Sequence, residues 1–262
     1  GIWDVASGLR LHTLQGHKTL IPDIALTPSG ELLATVSGDG NLRVWTVRTG
    51  ALLDDLTWDG SGGITKCDFT PPGPGSAGGS VLVTAHWNSK YEEGRILLWD
   101  VERARLDVPL RSYHRELPSK TQPYHGYVSA WSFFEGDEGV LLAAAVSDGS
   151  IHMIDLEQHT TLFSLSDQHI KTQFWAASGQ TTSTNTVFAV SFSPTGRFLA
   201  TAGADHAVKL FDADSGDLLH VLPGHSAFPK ALSWAPDEST LVTGSEDATA
   251  RLWAAAWEDI WE

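Results

Sequence analysis

Apolar residues in this chain come in short runs, and the runs come in sets. One set reads "LLATVSGDG" (32–40), "VLVTAHWN" (81–88), "LLAAAVSDG" (141–149), "FLATAGADH" (198–206) and "LVTGSEDA" (241–248). Each holds a few consecutive or alternating apolar residues and then a cluster of Gly, Ser or Asp, the signature of a β-strand closed by a turn. A second set lies just upstream: "IALTPSGEL", "CDFTPPGPG", "WSFFEGDEG", "VSFSPTGRF" and "LSWAPDEST". A third lies downstream: "LRVWTVRTG", "ILLWDVERA", "IHMIDLEQH", "VKLFDADSG" and "ARLWAAAWE", with "GIWDVASG" ahead of them all. Few stretches show a helical period of 3.6 residues.

The bulky residue of the third set falls at Trp3, Trp45, Trp99, Ile154, Phe211 and Trp253, in steps of 42, 54, 55, 57 and 42 residues. A strand every 8–12 residues inside a longer period of about 42 predicts small antiparallel sheets repeated in space. The longer middle steps predict insertions in the central units.

Polar residues repeat with the same period in the outer units. Gly16-His17 precedes Ser37, Asp39 and Trp45; Gly224-His225 precedes Ser245, Asp247 and Trp253. From His to Ser is 20 residues in both units, and from His to Trp 28. Serine, histidine and aspartate together raise the question of a hydrolase. A nucleophilic serine, however, needs one base and one oxyanion site, and a set that recurs unit by unit is better explained as architecture. There is no Gly-x-Ser-x-Gly elbow either.

The Gly-His pair, the Ser-x-Asp turn and the "IWDV" and "LLWDV" strand ends resemble the WD-repeat family of β-propellers, and the resemblance covers essentially the whole chain. It implies an all-β fold of four-stranded antiparallel blades: five full blades and a partial sixth, with units near 1–14 (partial), 15–57, 58–110, 111–165, 166–222 and 223–262. Family propellers usually close with seven blades, so part of a larger ring is expected. The start without Met, inside the strand-like "GIWDV", is read in the same way. The tail "WEDIWE" is expected to supply the last outer strand, with Trp257 and Trp261 packed on the final sheet.

The resemblance also assigns roles. In the family a His, a Ser or Thr hydroxyl, an Asp and a Trp form a buried hydrogen-bonded tetrad within a blade. Carried onto this chain, the tetrads are His17, Ser37, Asp39, Trp45 and His225, Ser245, Asp247, Trp253. The third and fourth units, with Asp148 and Ile154 and with Gly203, Asp205 and Phe211, are expected to replace the polar network by apolar packing.

Charge and composition narrow the partners. Thirty-two acidic residues against 17 basic ones give a net charge of −15, which opposes nucleic acid and anionic membrane and attracts basic partners. No apolar run reaches the length of a membrane helix. The single cysteine, Cys67, excludes an internal disulfide; a reducing compartment is expected, the cytoplasm first and the nucleus second. No phosphate-cradling loop and no cysteine pair for zinc is present, so neither a small-molecule cofactor nor a metal is expected.

By the resemblance, three insertions lie on the narrow face: 86–95 "HWNSKYEEGR", 111–127 "RSYHRELPSKTQPYHGY" and 166–186 "SDQHIKTQFWAASGQTTSTNT"; a fourth, 71–80, lies on the opposite face. The three carry every tyrosine of the chain together with Trp87, Phe174 and Trp175. Aromatic and Arg side chains dominate binding hot spots. The expected contact residues are Trp87, Tyr91, Arg111, Tyr113, His114, Arg115, Tyr124, Phe174 and Trp175. The expected function is a non-enzymatic scaffold that binds a protein or peptide there, as one module of a longer signalling or assembly protein. The alternative is an enzyme, a hydrolase or lyase, working at the propeller mouth.

Overall fold

The structure is a computed structural model. It describes residues 1–57, 62–72, 81–88, 90, 93–101, 114–116, 124–166, 172–175, 181–184 and 186–254. Among them every regular element is a strand. The chain forms two compact units, Gly1–Tyr127 and Val128–Glu262.

The first unit opens with a hairpin of β1 (Ile2–Trp3) and β2 (Arg10–His12). A four-stranded antiparallel sheet follows in chain order: β3 (Asp23–Leu26), β4 (Leu32–Val36), β5 (Asn41–Thr46) and β6 (Leu52–Thr57). The second sheet holds β7 (Gly63–Phe69), β8 (Val81–Asn88) and β9 (Glu93–Asp100). β10 (His114–Glu116) closes the outer edge of β9, and β11 (Tyr124–His125) pairs with its first residues.

The second unit holds a third sheet, β12 (Val128–Gly136), β13 (Gly139–Val146), β14 (Ile151–Asp155) and β15 (Thr160–Leu165), then a separate hairpin, β16 (Thr172–Trp175) and β17 (Thr181–Thr184). The fourth sheet is β18 (Val187–Phe192), β19 (Phe198–Gly203), β20 (Val208–Asp212) and β21 (Leu218–Leu222). The fifth is β22 (Pro229–Trp234), β23 (Thr240–Ser245) and β24 (Ala250–Ala254). Five sheets and a leading hairpin thus stand where five blades and a partial sixth are expected. The tail with Trp257 and Trp261 lies outside the described residues.

Burial explains the sequence pattern. β4, β14 and β19 are buried at every position, because sheet faces cover them on both sides; such strands read as continuous apolar runs. The outer strand β15 alternates exposed and half-buried residues, as a strand with one wet face must. In the first unit Ala34, Val36, Leu42 and Val44 of the first sheet pack in one core with Ile64, Phe69, Leu82 and Trp99 of the second. In the second unit Ala143, Ile151 and Met153 pack with Val190, Phe192 and Leu199, and Phe198, Leu210 and Leu241 form the next layer with Trp234 and Trp253.

Innermost strands of neighbouring sheets share no ladder, so side chains bridge them. The Asp23 carboxylate accepts from the Cys67 backbone N–H at 3.1 Å in the first unit; in the second, the Ser132 hydroxyl accepts from Phe192 N–H at 3.1 Å and the Ser129 hydroxyl donates to the Val187 carbonyl at 2.6 Å. Cys67 itself is buried, and burial, with the nearby Asp23 and Asp68 charges, pushes its thiol pKa far up.

Two expectations about the insertions change. The 86–95 stretch is not a free loop: the β8–β9 ladder continues through Trp87↔Gly94 to Asn88↔Glu93. His114 and Arg115 are not loop residues either. They lie on β10, opposite Trp99 and Leu98, and supply the fourth strand that the exposed edge of β9 requires.

Candidate functional site

The two full polar sets form tetrads, with one substitution. In the first sheet the Trp45 indole N–H donates to Thr35 Oγ1 at 2.9 Å, and His17 Nε2 lies 2.9 Å from the same hydroxyl. His17 Nδ1 faces Asp39 Oδ1 at 3.4 Å. In the fifth sheet the Trp253 N–H donates to Thr243 Oγ1 at 3.0 Å, His225 Nε2 is 2.8 Å from it, and His225 Nδ1 is 2.8 Å from Asp247. With Nδ1–H donating to the carboxylate, Nε2 accepts from the threonine, so the bonds run one way from Trp through Thr and His to Asp.

The hydroxyls are therefore Thr35 and Thr243, not Ser37 and Ser245. Trp45 lies opposite Leu33 and Trp253 opposite Leu241, and the threonine two places further along the adjacent strand shares that face, because alternate strand residues do. The serines instead tie the turn: Ser37 Oγ donates to the Leu20 carbonyl at 2.9 Å and accepts from Asp39 N–H at 3.2 Å. Ser245 does the same with the Ala227 carbonyl and Asp247 N–H, at 3.1 and 3.2 Å. Both ring nitrogens of each histidine are engaged inside the network, and the His225 side chain is 0% exposed. These residues brace a turn and are not set up to cut a substrate.

The electrostatics agree. Burial would raise the Asp39 pKa, but the backbone N–H groups of Lys18 and Asn41, with Ser37 and His17, hold it below the usual carboxylate range. Asp247 is held lower still by the Thr249 hydroxyl, by His225 and by the Ser226 N–H. The glycine of each Gly-His pair also has a physical reason. Gly16 and Gly224 have φ of +145° and +147°, and an added Cβ would lie 3.0 Å from Arg43 and 2.5 Å from Arg251.

The other sheets do not simply replace polar groups by apolar ones. In the second, Trp99 N–H donates to Thr84 Oγ1 at 2.7 Å and His86 Nε2 lies 2.8 Å from that hydroxyl, so a histidine of the strand itself joins the network. In the third, Ser150 Oγ donates to Asp148 at 2.6 Å and meets His152 Nε2 at 2.9 Å, while His152 Nδ1 meets Ser164 Oγ at 2.7 Å. Burial holds the His152 pKa below its ordinary value, against the pull of Asp148. In the fourth, Lys209 pairs with Asp205 at 2.8 Å, at side-chain exposures of 7% and 13%.

Of the expected contact residues, Trp87 lies near the tip of the β8–β9 hairpin and meets Tyr127 edge to face, with ring centroids 5.9 Å apart at 77°. Tyr127 is 42% exposed. Tyr124 lies on β11, and Phe174 and Trp175 on β16. Tyr91, Arg111 and Tyr113 lie outside the described residues. Sequence reasoning missed one cluster in the second unit, formed by Phe188, Phe228, Lys230, His206 and Glu246. Its only signal was that Phe188 and Lys230 occupy the same place in units 42 residues apart. Among the described residues no group of His, Cys, Asp and Glu could hold a metal ion, and no helix is long and apolar enough to cross a membrane.

Repeated antiparallel sheets with buried polar networks, a full Trp–Thr–His–Asp series in the first and fifth, define a blade-repeat protein. Residues 8–46, 175–212 and 216–254 match the model of the WD domain, G-beta repeat. The chain therefore carries WD repeats. It is 25% identical over 284 residues to the Denticleless protein homolog of Danio rerio, covering 96% of this chain and 40% of that protein. It is 24% identical over 256 residues to protein transport protein sec13 of Emericella nidulans, covering 92% of this chain and 78% of that one. A 76-residue stretch, 28% of this chain, is 45% identical to Actin-interacting protein 1 of Drosophila melanogaster, 12% of whose length it covers. The chain thus spans less than half of the Danio rerio relative.

Proposed function

We propose that this chain is a non-enzymatic scaffold that holds a protein or peptide partner, within a longer signalling or assembly protein. The observation that carries this reading is what the polar sets do: the Ser, His and Asp residues that could suggest catalysis are consumed in bracing turns. Relatives are named for protein transport and actin interaction, which supports protein partners. The contact surface proposed for the first unit is the extended β8–β9 hairpin with Trp87, together with Tyr91, Arg111, Tyr113, His114, Arg115 and Tyr124. For the second unit it is the 166–186 insertion with Phe174 and Trp175.

The test is affinity capture with the full-length protein against two variants: Trp87→Ala, and replacement of 172–184 by a short Gly-Ser turn. Among the described residues β16 and β17 pair with each other and with no blade strand, so the replacement is expected to leave the five sheets whole. Loss of a reproducibly captured partner, with an unchanged circular dichroism spectrum, is the expected result. Full retention by both variants overturns the assignment of the surface.

A further inference from the structure

The innermost strands of the second to fifth sheets enter their ladders through a bulge. Register shifts between Ile64 and Lys66, Val128 and Ala130, Val187 and Ala189, and Pro229 and Ala231. The skipped residues are Thr65, Ser129, Phe188 and Lys230. A bulge residue has no ladder partner, and its side chain is re-aimed away from the regular sheet face. Thr65 and Ser129 turn their hydroxyls back onto carbonyls of their own sheets, Ala85 at 3.3 Å and Ala145 at 3.2 Å.

Phe188 and Lys230 turn toward each other. The Lys230 ammonium lies 3.2 Å from the centre of the Phe188 ring and 5.3 Å from that of Phe228. The two rings are 5.3 Å apart at 49°, and His206 stands edge-on to Phe228 at 5.1 Å. Glu246 Oε1 lies 3.3 Å from the ammonium, and the Glu246 backbone N–H, donating to the Phe228 carbonyl at 3.0 Å, fixes that turn beside the ring. Two aromatic faces and a carboxylate around one cation are the components of a cation receptor.

The lysine that fills it is weakly held. Its side chain is 39% exposed and that of Glu246 53%, and exposed ion pairs and cation–π contacts stabilise little. The chain's charge of −15 steers a basic partner, and not an acidic one, toward the site. We propose that Phe188, Phe228 and Glu246 form a receptor for an arginine or lysine side chain of a basic partner peptide, and that Lys230 is a resident stand-in which swings out when the partner's cation enters. The proposal rests on the general scaffold reading but on none of the insertions.

The experiment uses the whole chain and a fluorescein-labelled peptide in which three arginines alternate with Gly-Ser, against the same peptide with three glutamates, read by anisotropy. Lys230→Ala vacates the receptor and is expected to tighten the arginine peptide about fivefold. Lys18→Ala, which removes an equal charge from an exposed site elsewhere, is expected to change it less than about twofold. Phe188→Leu or Phe228→Leu keeps apolar bulk and the fold but removes the aromatic face; in the Lys230→Ala background each is expected to weaken binding about tenfold.

Three results overturn the proposal: Lys230→Ala tightens no more than Lys18→Ala; the leucine variants bind like their parent; or the glutamate peptide binds and Lys230→Ala abolishes it. The 172–184 replacement is expected to bind the arginine peptide like the parent. Failure of the insertion surface and failure of this receptor are therefore read separately.

Discussion

Thr35 and Thr243 are each shared by a tryptophan N–H and a histidine nitrogen, so each is the joint of its network. Replacing either by valine keeps the shape and removes the acceptor. Thr35 is 4% exposed and Thr243 1%, so water cannot take over, and an orphaned buried donor costs about 1–3 kcal/mol. Thr35→Val is expected to lose that much stability in urea unfolding, with the midpoint falling and the slope unchanged; an unchanged midpoint would remove Thr35 from the network. His152 makes a second prediction at this scale. Burial depresses its pKa in the folded state, so the fold prefers the ring neutral. Its contribution is complete above the unfolded value of about 6.5 and is lost as pH falls from there toward the lowered folded value. Melting temperature is expected to drop with acidification over that window, and to drop less steeply in His152→Asn.

At the level of the element, the Gly-His loops show how a conformation selects a residue. Gly16 and Gly224 hold backbone angles open to glycine, and each faces the guanidinium of an arginine from its sheet's third strand. Any side chain there meets both an unfavourable φ and an occupied space. Gly224→Ala is expected to destabilise the chain by more than about 1 kcal/mol. Adding Arg251→Ala relieves the contact but not the backbone strain, so recovery in thermal unfolding is expected to be partial; full recovery would show that crowding alone selects the glycine. The strands themselves were legible because an apolar run between Gly, Pro and Asp turns leaves few alternatives. β10 was not, because "HRE" carries no apolar pattern: an outer edge strand has little to bury, and its partner β9 decides that it is a strand.

At the level of the molecule, sheets stacked face to face bury both faces of a middle strand, and two described sheets each leave one face apolar and open. In the first unit Ile24 and Leu26 on β3 are 60% and 55% exposed, with Leu20 at 71%; in the second, Leu252 on β24 is 73% exposed. Apolar surface of this kind drives self-association. Ile24→Lys with Leu26→Lys is expected to lower the light scattering of concentrated samples while leaving the melting temperature nearly unchanged, since neither side chain packs in the core. A melt lowered by several degrees would mean that this face is already covered in solution.

The sequence alone determined the five main sheets and their antiparallel kind, because period and turn chemistry act locally and repeat; it did not show the β16–β17 hairpin. The resemblance it carries also picked out His17, Asp39 and Trp45, and His225, Asp247 and Trp253, as parts of two like networks. Only the tertiary structure decided which hydroxyl joins each network. Thr35 lies on β4 and Ser37 just past its end, two residues on, and the choice depends on where the tryptophan of the next strand comes to rest. The same holds for the Phe188–Lys230 pair. Residues 42 apart in the chain meet because two bulges, on two sheets that share no ladder, turn their side chains into one space.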